Sequence, residues 1–204
     1  MKKLLRIDAS SRQKDSRSRE VADYFQKKWE AGNPAGTVVL RDLVLSPLPH
    51  IKDATIQGFY TPTENFTPEL VEATALSDQV INEMKSADDI LISTPLYNFS
   101  IPSALKAYID HLSRINKTFG MDAEGNFFGM LKNKKTYIVT SKGAVYKGTP
   151  IEALDMQEPY LKLILPFLGL EIADIFSVEG TTTDESIFNK SKTNALKRIE
   201  QIFN

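Results

Sequence analysis

Cysteine is absent from the 204-residue chain, which excludes disulfides, thiolate metal sites and cysteine nucleophiles. Histidine is nearly absent too. His50 and His111 are too few for most zinc geometries, so no metal site is expected, and no serine, histidine and acid spacing suggests a hydrolase. Neither sign of charge is in excess: 25 Lys plus Arg face 26 Asp plus Glu, a formal net charge of -1. That balance offers no global electrostatic case for nucleic acid or an anionic membrane as a partner. Long apolar runs are lacking. The most hydrophobic window, residues 161–170, is interrupted by Lys162, Pro166 and Gly169 and falls short of the roughly 20 residues a membrane span needs. Met1-Lys2-Lys3-Leu4-Leu5-Arg6-Ile7-Asp8 starts positively, as an export signal does, but Arg6 and Asp8 break its apolar stretch and it reads as a strand. A soluble, cytoplasmic protein is expected, and the Asn-x-Ser/Thr matches at Asn65, Asn98, Asn116 and Asn189 are then chance.

What is present is an alternation of short apolar runs and amphipathic stretches. Strands are expected at residues 4–7, 37–40, 90–93, 136–141 and 171–178. Helices are expected from Ser18 through Val21, Phe25 and Trp29, along Leu70, Ala73, Leu76, Val80, Ile81 and Met84, and over residues 102–114, 151–167 and 184–202. Strands separated by helices must pair mainly in parallel, because a parallel crossover needs about a dozen residues. The length suits one core, so residues 1–204 read as a single α/β domain: a doubly wound, five-stranded parallel sheet with helices on both faces, of the flavodoxin-like kind. Two excursions interrupt the rhythm. Residues 47–68 read as a long polar connection, and residues 119–130, with Phe119, Met121, Phe127, Phe128 and Met130, as a pocket wall or subunit contact. Trp29 reads as core, His111 as a polar-face or interface side chain, and the last helix as a solvated charged face.

Three strand ends carry chemistry. After the third strand, Pro95-Leu96-Tyr97-Asn98-Phe99-Ser100-Ile101-Pro102 combines backbone amides, an amide side chain and two aromatic faces, which suit a flat heteroaromatic ligand; the competing reading packs Tyr97 and Phe99 in the core. After the first strand, Asp8-Ala9-Ser10-Ser11-Arg12-Gln13-Lys14-Asp15-Ser16-Arg17-Ser18 leads into a helix. Helix N-termini bind phosphate through unpaired amides and the dipole. One N-cap needs one serine, so the surplus of hydroxyls at Ser10, Ser16 and Ser18, with Arg17, favours an anion site. The loop has no glycine, unlike a dinucleotide fingerprint. After the fourth strand, Thr140-Ser141-Lys142-Gly143-Ala144 offers a small pair that lets a ligand approach the backbone. These ends lie side by side at the switch point of a doubly wound sheet. Two weaker matches fail. Residues 143–149 lack the lysine of a nucleoside-triphosphate loop, and residues 122–126 misplace the glycine of a calcium loop.

Pro95-Leu96-Tyr97-Asn98-Phe99, followed by Ile101, Leu105-Lys106 and Tyr108, resembles the Pro-Met-Tyr-Asn-Phe motif of FMN-dependent, NADH-using azoreductases, a homodimeric branch of the flavodoxin-like quinone reductases. The resemblance implies that Ser10, Ser16, Arg17 and Ser18 bind the FMN phosphate and that Pro95, Leu96, Tyr97, Asn98 and Phe99 surround the flavin ring. It further implies that Ser141, Lys142, Gly143 and Ala144 meet the pyrimidine edge and that Phe119 lines the substrate pocket. Two departures stand out: Ser-Lys-Gly-Ala replaces the common Ser-Arg-Gly-Gly, and Leu96 replaces methionine, a volume-conserving change. The implied activity is two-electron reduction of quinones and azo compounds, with NADH or NADPH giving hydride to FMN in a ping-pong cycle. Flavin N5 carries the chemistry and no side chain is an obligatory catalyst. The amides of Gly143 and Ala144, aided by the Lys142 charge, are expected to stabilise the reduced flavin near N1 and O2. The alternative is a one-electron flavodoxin carrier; such carriers are usually strongly acidic, and the near-neutral charge and two excursions weigh against it.

Overall fold

The computed structural model describes residues 1–203. Five strands, β1 (Lys3–Asp8), β2 (Thr37–Asp42), β3 (Asp89–Pro95), β6 (Lys135–Ser141) and β7 (Glu171–Val178), form one sheet in the order β2-β1-β3-β6-β7. Every neighbouring pair is parallel. The remaining two strands, β4 (Phe119–Met121) and β5 (Phe127–Gly129), pair antiparallel as a separate hairpin. The expected doubly wound α/β fold is therefore present.

Alternation along the strands divides the core into two layers. Leu5, Ile7, Ile90, Ile92 and Ile138 face α3 (Pro68–Ser86), α4 (Ser103–Leu112) and α5 (Gln157–Phe167), meeting Val80, Ile81, Met84, Leu105, Tyr108 and Leu161. On the opposite side, Leu4, Leu91, Tyr137, Val139 and Phe176 meet Val21, Phe25 and Trp29 of α1 (Arg17–Gly32) and Phe188 and Ile199 of α6 (Glu185–Phe203). Trp29 is core as expected, with its indole N–H donating to Asp89 at 2.8 Å. On α6 the charges stay outward, Lys192 pairing with Glu20 and Arg198 with Asp174. No helix among the described residues is long and apolar enough to cross a membrane.

Two expectations, for residues 47–68 and for His111, need correction, and the 119–130 excursion takes a defined form. Residues 47–68 hold a helix, α2 (Asp53–Tyr60), and a 3₁₀ turn at Thr63–Asn65. With Thr55, Ile56 and Gly58 in eight residues, α2 has weak intrinsic propensity; docking makes it, since a Cβ on Gly58 would overlap the Thr74 methyl of α3. Residues 119–130 form the β4/β5 hairpin, whose turn is tied by the Asp122 carboxylate accepting from the Glu124 and Asn126 amides at 3.1 and 2.8 Å. His111 is buried: its Nε2 donates to the Pro49 carbonyl at 2.9 Å and its own carbonyl accepts from Ser77. It is a core strut between α3, α4 and the start of the 47–68 segment.

The hairpin meets the end of α5 through two glycines. Gly169 terminates α5 with φ of 92°, a left-handed conformation that favours glycine, and a Cβ on Gly129 would overlap the Gly169 backbone, which cannot rotate away. Gly129→Ala should therefore lower stability by about 1–3 kcal/mol; an unchanged urea midpoint would show that the hairpin is not seated on α5 this way.

Candidate active site at the carboxyl ends of three strands

The loop after β1 starts with the Ala9 amide bonded to the Ser93 carbonyl at 2.8 Å, so it leaves the sheet directly beside β3. Ser16 caps α1: its hydroxyl accepts from the Arg19 amide at 3.4 Å and lies 3.4 Å from the Ser18 hydroxyl. Ser10, Ser16 and Ser18 are all buried. Three hydroxyls and the free amides of a helix start are thus gathered where one cap would suffice. Arg17 is half exposed, its guanidinium 4.4 Å above the Phe188 ring. Beneath the loop, Arg19 bonds Asp8 at 3.1 Å, Asp42 at 2.6 Å and the Ser10 carbonyl at 2.8 Å. Burial alone would raise the pKa of Asp42; the Arg19 guanidinium and the Val44 and Leu45 amides outweigh it and hold the carboxyl below its ordinary value.

After β3 the chain makes a two-residue turn. Tyr97 and Ser100 exchange two backbone hydrogen bonds of 3.0 Å, while Asn98 and Phe99 take φ of 48° and 68°, the pattern of a type I′ hairpin turn. Asparagine tolerates this region; phenylalanine there is strained by about 1–3 kcal/mol. Phe99 is also 49 % exposed, so the reading that packs it in the core is wrong. The surroundings hold the strain: Met156 donates to the Phe99 carbonyl at 2.9 Å, Leu96 to Ser141 at 2.8 Å, and the buried Gln157 amide to the Pro95 carbonyl at 2.7 Å. Beside the turn, Tyr97, Asn98, Ile101, Pro102, Lys106 and Tyr160 help line a cavity of about 590 Å³.

In the loop after β6, the carbonyls of Lys142, Gly143 and Ala144 accept from the Thr181, Thr182 and Gly180 amides at 3.1 to 3.2 Å. A Cβ on Gly143 would sit 2.9 Å from the Thr182 hydroxyl, so the residue must be small. Strand order places the three loops in a row, since β3 lies between β1 and β6. Phe119 is the residue not brought to them. Its ring packs 4.8 Å from that of Phe167, at the far end of α5 from Gln157 and roughly 15 Å along the helix.

A family profile described as a flavodoxin-like fold matches residues 2–203. A protein named FMN-dependent NADH:quinone oxidoreductase from Xanthobacter autotrophicus is 42% identical over 204 residues, covering 99% of this chain and 98% of its own. One of the same name from Hydrogenovibrio crunogenus is 40% identical over 200 residues, 98% of each. The chain belongs to this flavodoxin-like oxidoreductase family. The crystal structure of an azoreductase from Bacillus anthracis str. Sterne superposes with a TM-score of 0.91 at 28% identity, covering 100% of this chain and 99% of that one.

In this flavodoxin-like oxidoreductase the Lys142 side chain does not act as a free charge. It is 2% exposed, and its ammonium lies 2.6 Å from Asp155, 2.7 Å from Glu158 and 3.4 Å from Glu179. The charge is already matched, which corrects the expectation that it aids the flavin directly, and the Lys142 backbone is engaged as well, its N–H donating to the Val178 carbonyl at 2.9 Å and its carbonyl accepting from Thr181. The side chain's pairs with Asp155 and Glu158 tie it to the start of α5, beside Met156 and Gln157. Gln157, Arg19 and the three carboxylates escaped notice in the sequence. Arg19 alone had a local signal, three residues past a cap serine and facing the strand ends; the others come from 13 to 37 positions beyond Lys142, and no spacing announces them.

The cluster has a pH signature. Burial would lower the Lys142 pKa, but Asp155 and Glu158 raise it; burial would raise Glu158, but Lys142 and Lys162 lower it. Glu158 thus adds stability above its ordinary pKa and loses it as pH falls through its depressed value, while Lys142 adds stability below its ordinary pKa and loses it as pH rises through its raised one. Lys142→Met should cost about 3–5 kcal/mol at neutral pH by stranding buried carboxylates. The deficit should shrink as pH falls and Glu158 protonates; a urea-unfolding deficit constant with pH would contradict this.

Proposed function

We propose that the chain is an FMN-dependent NADH:quinone oxidoreductase that also reduces azo compounds. The observation that carries this reading is the row of three loops at adjacent strand ends, one rich in buried hydroxyls, one an exposed strained aromatic turn, one a small-residue loop. The donor set fits FMN from end to end. Ser10, Ser16, Ser18 and the first amides of α1, with Arg17 at the rim, would hold the phosphate; Pro95, Leu96, Tyr97, Asn98 and Phe99 would frame the ring. Ser141, Lys142, Gly143 and Ala144 would line the pyrimidine edge, meeting it through the Gly143 and Ala144 N–H groups, because the Lys142 N–H donates to the Val178 carbonyl and the carbonyls of residues 142–144 are engaged by residues 180–182.

The chemistry that FMN supplies when bound is two-electron hydride transfer from NADH, or NADPH, to a quinone or azo acceptor in a ping-pong sequence. The chain's own part is to bind, orient and shield. The Tyr97–Ser100 turn is stiffened by its paired hydrogen bonds, so the ring surface it presents is preorganised. A substrate-pocket role for Phe119 requires the second subunit of a homodimer, since within one subunit its ring packs on Phe167 at the far end of α5 from the turn. The protein is taken to be a single FMN-binding domain working in the cytoplasm, with no nucleic acid or membrane partner. A one-electron flavodoxin carrier is not favoured, given relatives named as oxidoreductases across nearly the whole chain.

Purified protein should carry flavin absorbance and oxidise NADH with menadione or methyl red, giving parallel double-reciprocal lines; bound FMN without turnover would favour the carrier. Asn98→Leu, which removes the polar tip of the turn and a residue suited to positive φ, should weaken FMN retention about 10-fold or more. Retention equal to wild type, measured by fluorescence titration of apoprotein, would remove Asn98 from the ligand set.

A further inference from the structure

The phosphate end of the site is built over two buried carboxylates. Asp8 ends β1 and Asp42 ends β2, in register with each other and nearly inaccessible. Unbalanced, they would repel a phosphate dianion in the loop above. Arg6 matches Asp8 from one side, with Nε at 3.1 Å and Nη2 at 2.9 Å. Arg19 does the rest: one guanidinium nitrogen spans Asp8 and Asp42, another holds the Ser10 carbonyl, and its backbone amide engages the Ser16 hydroxyl. Two arginines thus face the two buried aspartates at the base of the site, and Arg6 also pairs at 2.6 Å with Asp23, an exposed carboxylate at the rim. The Arg19 Nε–H is buried and has no partner among the described residues.

We propose that Arg19 is a positioning residue for a phosphate monoester: it fixes both ends of the serine loop and, together with Arg6, offsets the Asp8 and Asp42 charges, so that the site prefers the phosphorylated flavin to the neutral one. The residue need not touch the phosphate. It acts by spacing Ser10 against Ser16 and by setting the local potential, and a planar fork that reaches two carboxylates and a carbonyl at once is something lysine cannot reproduce. The inference rests on the FMN reading above and concerns a residue outside the ligand set named there.

The test compares FMN with riboflavin, which share a ring and differ by the phosphate. Apoprotein of wild type, Arg19→Met, Arg19→Lys and the double variant Arg19→Met/Asp42→Asn is titrated with each by flavin fluorescence. Arg19→Met should lose about 10- to 100-fold in FMN affinity, with riboflavin affinity changed by less than about 3-fold. Arg19→Lys should show a smaller FMN-specific loss, and the double variant should regain part of the preference because the stranded charge is gone. Equal losses for FMN and riboflavin, or an unchanged ratio in Arg19→Lys, would reduce Arg19 to a scaffold residue and overturn the proposal. Should Arg19→Met not fold, the lysine and double variants carry the same decision. Wild-type apoprotein that binds neither flavin would overturn the FMN reading itself, a result distinct from any change of ratio.

Discussion

Everything at this site depends on the handedness and order of parallel crossovers. A strand, a helix and a parallel strand connect right-handedly almost without exception, so a chain that runs outward from β1 to β2 and then returns past β1 to β3 must leave a cleft where the direction reverses. The loops after β1 and β3 open on either side of that cleft, and β6 extends the row. No one loop makes a site. Adjacent strand ends about 4.8 Å apart bring hydroxyls, an aromatic turn and a small-residue backbone into one strip long enough for an extended ligand with a charged tail and a flat head.

The strip is held by buried charge rather than by apolar packing. At one end Arg6 and Arg19 neutralise Asp8 and Asp42; at the other Lys142 gathers Asp155, Glu158 and Glu179. Buried ion pairs contribute little net stability compared with hydrophobic replacements, so their presence at both ends of the strip, and not in the middle of either core layer, is best understood as positioning. Between them sits the Asn98-Phe99 turn, strained and exposed. Strain of this kind persists only where its surroundings over-determine it, and here the end of β6 and the start of α5 do so.

The sheet was legible because its central strands are buried on both faces and read as short apolar runs, broken in β1 by Arg6, while the helices show period 3.6 on one side only. The ligand loops were legible because serines in excess of a cap, and aromatics in a turn, are unusual compositions. Contacts between distant segments were not. Lys142 looked like a spare cation because its partners lie at the start of α5 and just past β7; α2 looked like loop because its stability comes from Gly58 fitting against Thr74; His111 looked like a polar-face or interface side chain because Pro49, 62 residues earlier, supplies its acceptor. Asp122 and its neighbours imitated a metal loop for a physical reason: carboxylates that cap backbone amides in a tight turn use the same residue types as carboxylates that bind cations.

A crystal structure of the protein grown with FMN tests the central claim most directly. The expected result is the phosphate oxygens accepting hydrogen bonds from the Ser10, Ser16 and Ser18 hydroxyls and the ring against the Tyr97–Phe99 turn, with the Gly143 and Ala144 amides at its pyrimidine edge. A flavin seated away from the carboxyl ends of β1, β3 and β6, or lying with its phosphate at the β6 end, would contradict it.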